Sequence, residues 1–293
     1  MKIWLKHNTS FHWHGETIFI LILNGFALVA GAIVLLIFGF LLWESWSILQ
    51  QVGLLRFFSD PNWHPTSGEY NLSPMFWGTL LVTLGAVLIA TPLGILSAVF
   101  CQYYAPTGLA RIYRRLVELL AGIPSVVYGL WGLVVLVPLI GNLQPPGASL
   151  LAGILVLALM ILPTIALVAD ASLANVPVTY LQGAAAMGLS RWAIVRGVAF
   201  PAAKAGLVSG VILATGRAIG ETMAVLMVCG NVVQVSNSIF APVRTLTANI
   251  ALEMAYAMND HRSALFVSGL VLMGLVSILV AGAEYMNQGR IHG

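Results

Sequence analysis

Charged residues are scarce in this chain, and their scarcity excludes a soluble protein. Only 8% of the 293 residues are Asp, Glu, Lys or Arg, whereas a soluble domain carries about 25%. Hydrophobic residues make up 59%, and the mean hydropathy is +0.95. The few basic residues are scattered without interleaved aromatic residues, which also excludes a nucleic-acid partner. The composition predicts an all-α polytopic membrane protein whose surroundings are lipid.

Cysteine and lysine are rare as well. The two cysteines, Cys101 and Cys229, fall near opposite membrane faces in the topology below, so we expect no disulfide between them. Both are interpreted as packing residues, with no metal or redox site. The only lysines are Lys2, Lys6 and Lys204, and no G-x-x-x-x-G-K-[ST] loop occurs. We therefore expect the chain to bind no ATP itself, and its energy must come from a partner or an ion gradient.

Long apolar runs are abundant instead. A membrane span needs about 20 mostly apolar residues, and six runs reach that length. The predicted spans, all within one transmembrane domain of residues 1–293, are residues 17–43, 75–101, 116–140, 150–169, 207–230 and 264–283. The first run is too long for the apolar core of a cleaved signal peptide, so we expect it to remain as a span.

The basic residues predict the orientation of the chain. With the N-terminus inside, nine of them lie in cytoplasmic segments and three on the opposite side, which is a strong positive-inside bias. Both termini are therefore predicted to be cytoplasmic. The cytoplasmic set is Lys2, Lys6, Arg111, Arg114, Arg115, Arg191, Arg196, Lys204 and Arg290, and the external set is Arg56, Arg244 and Arg262. The loop at residues 171–206 is placed in the cytoplasm, and residues 44–74 and 231–260 form long external segments.

Arg217 and Glu221 are charged residues deep in the fifth predicted span. An ionised side chain at a helix centre costs roughly 2.5–3.5 kcal/mol, so both should face protein or water. Their spacing places them on one helix face within reach of each other. Two interpretations remain open. The pair either fixes helix packing as an internal salt bridge, or it lies on an anion pathway. In the second case Arg217 attracts an oxyanion and Glu221 prevents its permanent capture.

The third predicted span combines small residues with a proline. Residues at helical spacing form one stripe along it: Glu118, Gly122, Ser125, Gly129 and Gly132. Pro124 interrupts the backbone hydrogen bonds and permits a kink, and freed carbonyl groups are tolerated where they line a cavity. Pro124 and Ser125 are therefore candidate path-lining or hinge residues. Close packing of helices is the alternative role.

The cytoplasmic loop contains a polar, small-residue and basic stretch, residues 182–201, QGAAAMGLSRWAIVRGVAFP. Its first part has good helix propensity, Gly188 breaks the helix, and a second amphipathic run is predicted from Arg191 to Pro201. The simplest interpretation is a basic loop that obeys the positive-inside rule. A short helix held outside the membrane is also a natural docking element for a soluble partner.

The spacing in this loop resembles the cytoplasmic coupling loop of ABC-importer permeases. That pattern is Glu-Ala-Ala, three residues, Gly, nine residues and Ile-x-Leu-Pro, and here a neutral glutamine replaces the usual glutamate. The resemblance implies a coupling helix that contacts an ATPase. The residues that match the pattern or flank it are Gln182, Gly183, Ala184, Gly188, Arg191 and Pro201.

Three further stretches narrow the resemblance to one branch of these permeases. AGIPSVVYG (121–129), GRAIGETMAV (216–225) and RTLTANIALEM (244–254) are similar to the phosphate-specific permeases of the Pst importer, nearer the PstC type than PstA. The similarity runs from about residue 63 to residue 272, and GRAIGETMAV is its most specific part. It implies the type I ABC-importer permease fold with six transmembrane helices. It also implies a role in the substrate path for Arg217 and Glu221.

The same resemblance implies a set of partners and a location. The chain is expected to form a heterodimer with a second, PstA-like permease in the bacterial inner membrane. A cytoplasmic ATPase dimer hydrolyses ATP beneath it, and a periplasmic phosphate-binding protein delivers inorganic phosphate. The chain itself is expected to be a transport subunit and not an enzyme, with no cofactor of its own.

Three alternatives to phosphate import were weighed. The nearest is a permease for another oxyanion, such as molybdate or sulfate. An ion-coupled secondary transporter would place acidic or histidine residues within several spans, whereas Glu118, Asp170 and Glu284 lie near span ends. A membrane enzyme would need a clustered nucleophile, base or metal set. All six histidines lie outside the predicted spans: His7, His12, His14, His64, His261 and His292.

Overall fold

The computed structural model describes the backbone of residues 13–288 and the side chains of residues 17–282. Lys2, Lys6 and Arg290, which contribute to the predicted orientation, lie outside the described residues. Both cysteines are buried and free, which confirms that they do not form a disulfide with each other.

Helices account for nearly all of the regular structure in the described part of the chain. They are α1 (Trp13–Val52), α2 (Arg56–Ser59), α3 (Ser73–Val99), α4 (Thr107–Ala121), α5 (Ser125–Trp131), α6 (Val137–Leu143), α7 (Leu150–Ala174), α8 (Val178–Ala186), α9 (Arg191–Ile194), α10 (Phe200–Ile219), α11 (Met223–Val228), α12 (Leu246–Glu253) and α13 (Asn259–Gln288). A two-stranded antiparallel hairpin joins β1 (Trp63–His64) to β2 (Glu69–Tyr70) through a 3-10 turn at Pro65–Ser67.

Six helical runs are long and apolar enough to cross a membrane, which confirms the predicted number of spans. They are Thr17–Val52, Ser73–Tyr104, Ser125–Leu143, Leu150–Ala174, Arg191–Ile219 and Asn259–Gly282. The first two extend beyond their predicted ends, and the first continues through the predicted external segment as far as Val52. His261 lies in the first turn of α13, not outside the last helix as predicted.

Two of the predicted spans, the third and the fifth, run across a break in a helix. The third span begins at Ser125 and not at residue 116, because α4 ends at Ala121 and the chain turns at Gly122–Pro124. The fifth span is already helical at Arg191 and ends at Ile219, not at residue 230. Hydropathy averaged over the length of a span does not resolve these breaks, because each break is only about three residues long.

Prolines account for three π-helical segments. These five-residue segments are Phe100–Tyr104 after α3, Gly132–Leu136 between α5 and α6, and Val195–Ala199 between α9 and α10. Each ends two residues before a proline, namely Pro106, Pro138 or Pro201. Proline lacks the N–H that would bond the carbonyl four residues earlier, and that carbonyl lies within the widened segment. The run that starts at Arg191 therefore passes through Pro201 into α10 and does not end there as predicted.

The centre of the bundle is formed by α3, α7 and α10. Gly94 of α3 lies against Ile165, and a Cβ there would come within 2.8 Å of its side chain. Gly210 of α10 lies as close to Val168, where a Cβ would be 2.9 Å from a methyl group. Small residues thus let three helices approach closely. The largest buried cluster lies here and includes Val82, Leu157 and Ala214.

The hairpin side of the molecule has a core of its own. Phe57, Trp63, Leu72 and Leu265 are among the buried residues that join the hairpin segment to α12 and α13. Within the predicted external segment 231–260, residues 246–253 form α12, and Thr245 caps this helix by accepting a hydrogen bond from the Ala248 N–H. This second core fixes the irregular segments that connect the first, second, fifth and sixth spans.

Candidate functional site

Arg217 lies in the last turn of α10, level with the middle of α7. Its Nη1 lies 3.5 Å from Thr164 Oγ1, and this is its only hydrogen bond among the described residues. Thr164 lies inside the 25-residue helix α7, about 21 Å from its start and about 15 Å from its end at 1.5 Å per residue. The Arg217 side chain is exposed in this single chain. A permanent cation therefore lies at an inner level of the bundle without an acidic partner in the described structure.

Glu221 does not pair with Arg217, because the helix ends between them. Gly220 follows the end of α10, and Glu221 lies in the short connection to α11. Its carboxylate Oε1 accepts a hydrogen bond from the Ala224 N–H at 3.0 Å, and Thr247 Oγ1 donates to its carbonyl at 2.8 Å. The prediction that both charges share one continuous helix face is wrong. Glu221 caps α11, and its backbone is fixed by the start of α12.

The break in the third span lies close to Arg217. Pro124 has the extended conformation (φ −60°, ψ 141°), so α4 ends and α5 begins as a separate helix at Ser125. Tyr128 Oη donates to the Leu120 carbonyl at 2.8 Å and so links α5 back to the end of α4. The Arg217 guanidinium is within electrostatic range of the Tyr128 phenol. The predicted interruption at Pro124 is confirmed, but Glu118 and Ser125 lie on different helices and not on one stripe.

The two half-helices beyond these breaks pack directly against each other. A Cβ at Gly129 of α5 would lie 2.8 Å from Cα of Ala224 and 2.9 Å from the Met227 sulfur. At Gly132 it would lie 2.9 Å from a methyl group of Val228. This contact places α11 beside the second half of α5 and the π-helical turn that follows it. Two helix breaks and one unpaired arginine therefore converge at one level of the bundle.

The predicted coupling loop forms a compact helix–turn–helix. Gln182, Gly183 and Ala184 lie in α8, where Gln182 is exposed and Ala184 is 3% exposed. Gly188 has φ +76° and ends this helix, as predicted; glycine adopts that conformation without a Cβ penalty. Ser190 Oγ then caps α9 by accepting a hydrogen bond from the Ala193 N–H.

The outer surface of this loop is unusually apolar for an exposed turn. Tyr180 is 59% exposed, Met187 75% and Trp192 55%. Arg191 lies beside them and is exposed. Ala184 and the neighbouring Leu181 anchor the opposite side of α8. The loop therefore presents an aromatic and aliphatic surface with basic residues, which suits a protein partner.

Sequence reasoning missed a buried polar cluster near the hairpin. The Glu253 cluster consists of Trp63, Arg244, Asn249, Glu253 and His261. Arg244 Nη1 donates to Glu253 Oε1 at 2.6 Å and to Asn249 Oδ1 at 3.0 Å. Trp63 Nε1 donates to Glu253 Oε2 at 2.9 Å, and His261 Nε2 lies 2.8 Å from the same oxygen. The carboxylate is almost fully buried and both of its oxygens are occupied, so the cluster is a structural anchor.

A second missed cluster lies near the end of α7. The Asp170 cluster consists of Gln102, Arg114 and Asp170, from three different helical segments. Arg114 donates to both carboxylate oxygens, and Gln102 donates to the same side chain. The sequence placed Asp170 near a span end and counted Arg114 only as a basic loop residue. Nothing in their spacing indicated that they would meet.

Comparisons with known proteins give a consistent result. The family model described as "Binding-protein-dependent transport system inner membrane component" matches residues 90–292. A protein of Mesorhizobium japonicum named phosphate transport system permease protein PstC is 36% identical over 264 residues, covering 83% of this chain and 80% of its own. The PstC of Haemophilus influenzae is 34% identical, covering 89% and 88%. The Bacillus subtilis protein YqgH, named a probable ABC transporter permease, is 38% identical, covering 83% and 81%.

Solved structures of ABC importers share the fold. A bacterial alginate ABC transporter, in complex with a periplasmic protein that holds an alginate pentasaccharide, gives a TM-score of 0.65 at 14% identity and covers 94% of this chain and 96% of its own. The inward-facing methionine transporter MetNI gives 0.60 at 21% identity and covers 77% and 98%. At these identities the likeness concerns the fold alone.

Proposed function

The chain belongs to the family of binding-protein-dependent transport system inner membrane components, and from that premise we propose that it is the PstC-type permease subunit of an ATP-driven phosphate importer. The named relatives support phosphate as the substrate. The observation that carries the proposal is the single unpaired arginine at the level where two spans are broken. Arg217 is the residue that meets phosphate in the membrane.

The chemistry of Arg217 suits a phosphate ion that must pass and not stay. Its guanidinium is always charged and presents two parallel N–H groups to an oxyanion. Because no carboxylate of the described chain neutralises it, it is free to balance the charge of an entering anion. One arginine with a weak contact to Thr164 holds the anion less firmly than a closed cage, so release remains easy. Glu221 maintains the break beside it and limits the positive potential at that level.

The exposed side of Arg217 requires a second subunit. A charge at this level does not face lipid without a large cost, and in the part of the chain that the structure describes the side chain is exposed. A PstA-like permease related by a pseudo-twofold axis closes the path from the other side. The breaks beside Pro124 and Glu221 then line the space between the two permeases, and Pro124 and Ser125 are path-lining residues on this chain.

The coupling loop is the docking element for a cytoplasmic ATPase dimer. The exposed Tyr180, Met187 and Trp192 enter a groove of that partner, and Arg191 contacts its acidic rim. Gln182 makes a neutral contact, because this chain lacks the glutamate usual at that position. The ATPase binds and hydrolyses ATP, and this chain serves as a transport subunit without enzymatic activity.

The location follows from the same topology. Both termini lie in the cytoplasm of a bacterial cell, and the six spans cross the inner membrane. The hairpin, α2 and α12 then face the periplasm, where a phosphate-binding protein delivers its ligand. Arg111, Arg114, Arg115, Arg191 and Arg196 all fall on the cytoplasmic side, in keeping with the positive-inside rule.

The test is phosphate uptake by proteoliposomes that hold this chain, its partner permease, the ATPase and the binding protein. We expect ATP-dependent phosphate uptake by the parent and about a 100-fold loss in Arg217→Ala, because an anion contact of roughly 2–3 kcal/mol disappears. The variant should still assemble and hydrolyse ATP. Normal uptake by Arg217→Ala would make the residue structural. Transport of molybdate or sulfate in place of phosphate by the parent would overturn the substrate.

A further inference from the structure

The Asp170 cluster joins three helical segments at one carboxylate. Arg114 Nε donates to Asp170 Oδ2 at 2.8 Å and Arg114 Nη2 donates to Oδ1 at 3.2 Å, which is a bidentate ion pair. Gln102 Nε2 donates to Oδ1 at 2.9 Å and to the Asp170 carbonyl at 3.2 Å. Planar bidentate pairs are the strongest and most directional of ion pairs. The three segments are therefore fixed to one another at this point.

Asp170 lies between the two regions to which the proposed function gives a role. It is one turn from the end of α7 at Ala174, and only Asn175–Pro177 separate that end from the coupling helix α8. Arg114 is in α4, whose next residues are the break at Gly122–Pro124. The cluster is thus the contact through which the end of α7 holds α4, the helix that precedes the break in the third span.

The rest of the contact between α4 and α7 includes a shallow recess. Arg114 and Val117 of α4, with Ala166 and Asp170 of α7, are among the residues that line this partly open recess. Val117 is the buried apolar residue in this part of α4, and most of its other side chains are exposed. Beyond α4, the break at Gly122–Pro124 ends the helix, and Tyr128 Oη of α5 reaches back across the break to the Leu120 carbonyl. The Arg114–Asp170 ion pair is the charged contact that ties α4 to α7.

We propose that Asp170 is a positioning residue for transport, which through Arg114 and Gln102 transmits movement of the coupling helix to the broken third span. This inference rests on the proposed function, because it assumes an ATPase that moves α8. When α8 shifts, the end of α7 shifts with it. The bidentate pair carries α4 along, and the break at Gly122–Pro124 converts that motion into a change beside Arg217.

Charge removal and charge exchange test this role directly. Asp170→Asn and Arg114→Ala break the pair, whereas Arg114→Asp combined with Asp170→Arg rebuilds it in reverse. Gln102 has an amide oxygen that accepts from an arginine at position 170, so the exchanged pair keeps its third partner. Arg115→Ala is the matched control, because Arg115 lies next in the same helix and forms no ion pair in the described structure.

The first measurement is the amount of phosphate taken up per ATP hydrolysed by the reconstituted complex. We expect about a tenfold lower ratio in Asp170→Asn and Arg114→Ala, which is typical of a broken coupling between linked sites. The exchanged pair should recover most of the ratio, and Arg115→Ala should match the parent. An unchanged ratio in both single variants, with only a lower unfolding temperature, would overturn the proposal. If either single variant fails to assemble, the exchanged pair decides by recovering the ratio or failing to do so.

The second measurement separates this inference from the substrate proposal. Hydrogen exchange of the amides in α4 is followed in the complex with its ATPase, with and without a non-hydrolysable ATP analogue. We expect the nucleotide to alter protection of α4 in the parent and in the exchanged pair, but not in Asp170→Asn. This readout needs no phosphate, so it holds even if the parent carries another anion. Equal responses in the parent and in Asp170→Asn would overturn the transmission role and leave phosphate import untouched.

Discussion

Arg217 and Arg244 each precede a glutamate, yet the two arginines differ in their exposure and in the number of hydrogen bonds that they make within the protein. Arg244 is bound by Glu253, Asn249 and the Asn231 carbonyl, and its side chain is 18% exposed. Arg217 is exposed, has one long contact to Thr164, and is separated from Glu221 by a helix end. A charge whose hydrogen bonds are all made inside the protein serves the fold. A charged side chain that is exposed and has few partners within the protein remains available to a ligand.

The largest expected effect is on the free energy of unfolding, when Arg244, the arginine bound within the protein, is replaced. Arg244→Ala leaves Glu253 buried and without its main partner, so the free energy of unfolding should fall by about 3–5 kcal/mol. Arg217→Ala removes an exposed side chain with one weak contact, and it should change the same quantity by no more than about 0.5 kcal/mol. Denaturant unfolding in matched detergent micelles measures both. An equal loss of unfolding free energy in the two variants would contradict the view that only Arg244 stabilises the fold.

The second expected effect concerns the role of Arg217, the exposed arginine, in phosphate uptake. Arg217→Lys keeps the positive charge but loses the planar pair of donors that suits an oxyanion. We expect the KM for phosphate uptake to rise about tenfold, equivalent to about 1.4 kcal/mol, with a smaller change in the maximal rate. Initial uptake rates over a range of phosphate concentrations give both numbers. A parent-like KM would show that only charge matters at this position, and a null variant would point to an obligatory bidentate contact.

The sequence predicted the parts of this fold that depend on local chemistry. Six apolar runs correspond to six spans, and Gly188 ends the coupling helix. Pro124 was identified as an interruption, although it separates two helices completely. These features depend on hydropathy, propensity and backbone freedom, and each is encoded within a few residues.

The parts that could not be predicted depend on contacts between distant residues. Trp63 and Glu253 are 190 positions apart, and Arg114 and Asp170 are 56 apart. Their pairing exists only because the bundle brings those segments together. The end of α10 was missed for a different reason. An i, i+4 argument assumes a continuous helix, and the break after Gly220 is stabilised by the Glu221 cap and by Thr247, which no local pattern indicates.

A third effect tests what Glu221 does if it is not the partner of Arg217. Glu221→Ala removes the oxygen that caps α11, so we expect a loss of about 1 kcal/mol in the free energy of unfolding. Glu221→Gln keeps an oxygen acceptor and should lose only a few tenths of that amount. Thermal unfolding of the two variants side by side makes the comparison. A loss in Glu221→Gln as large as in Glu221→Ala would show that the negative charge, and hence an interaction with Arg217, is what stabilises the break.

The smallest expected effect concerns Asp60 beside the hairpin, whose carboxylate is bound by the Tyr70 N–H and by the exposed Arg56. Burial alone raises the pKa of Asp60, but the Tyr70 N–H and the Arg56 guanidinium outweigh it and hold that pKa below its ordinary value. A lowered pKa means that the ionised carboxylate stabilises the folded hairpin. That stabilisation is complete above about pH 4, the ordinary value for Asp, and is lost as the pH falls through the folded pKa.

Protection of the Tyr70 amide against hydrogen exchange should decrease in that acid range, after correction for the intrinsic rate. In Asp60→Asn, which has no charge to titrate, protection should be lower throughout and independent of pH there. An equal response to acid in Asp60→Asn would show that another group titrates in this range. The contacts of Asp60 would then contribute little to the fold, as we expect for those of Arg217.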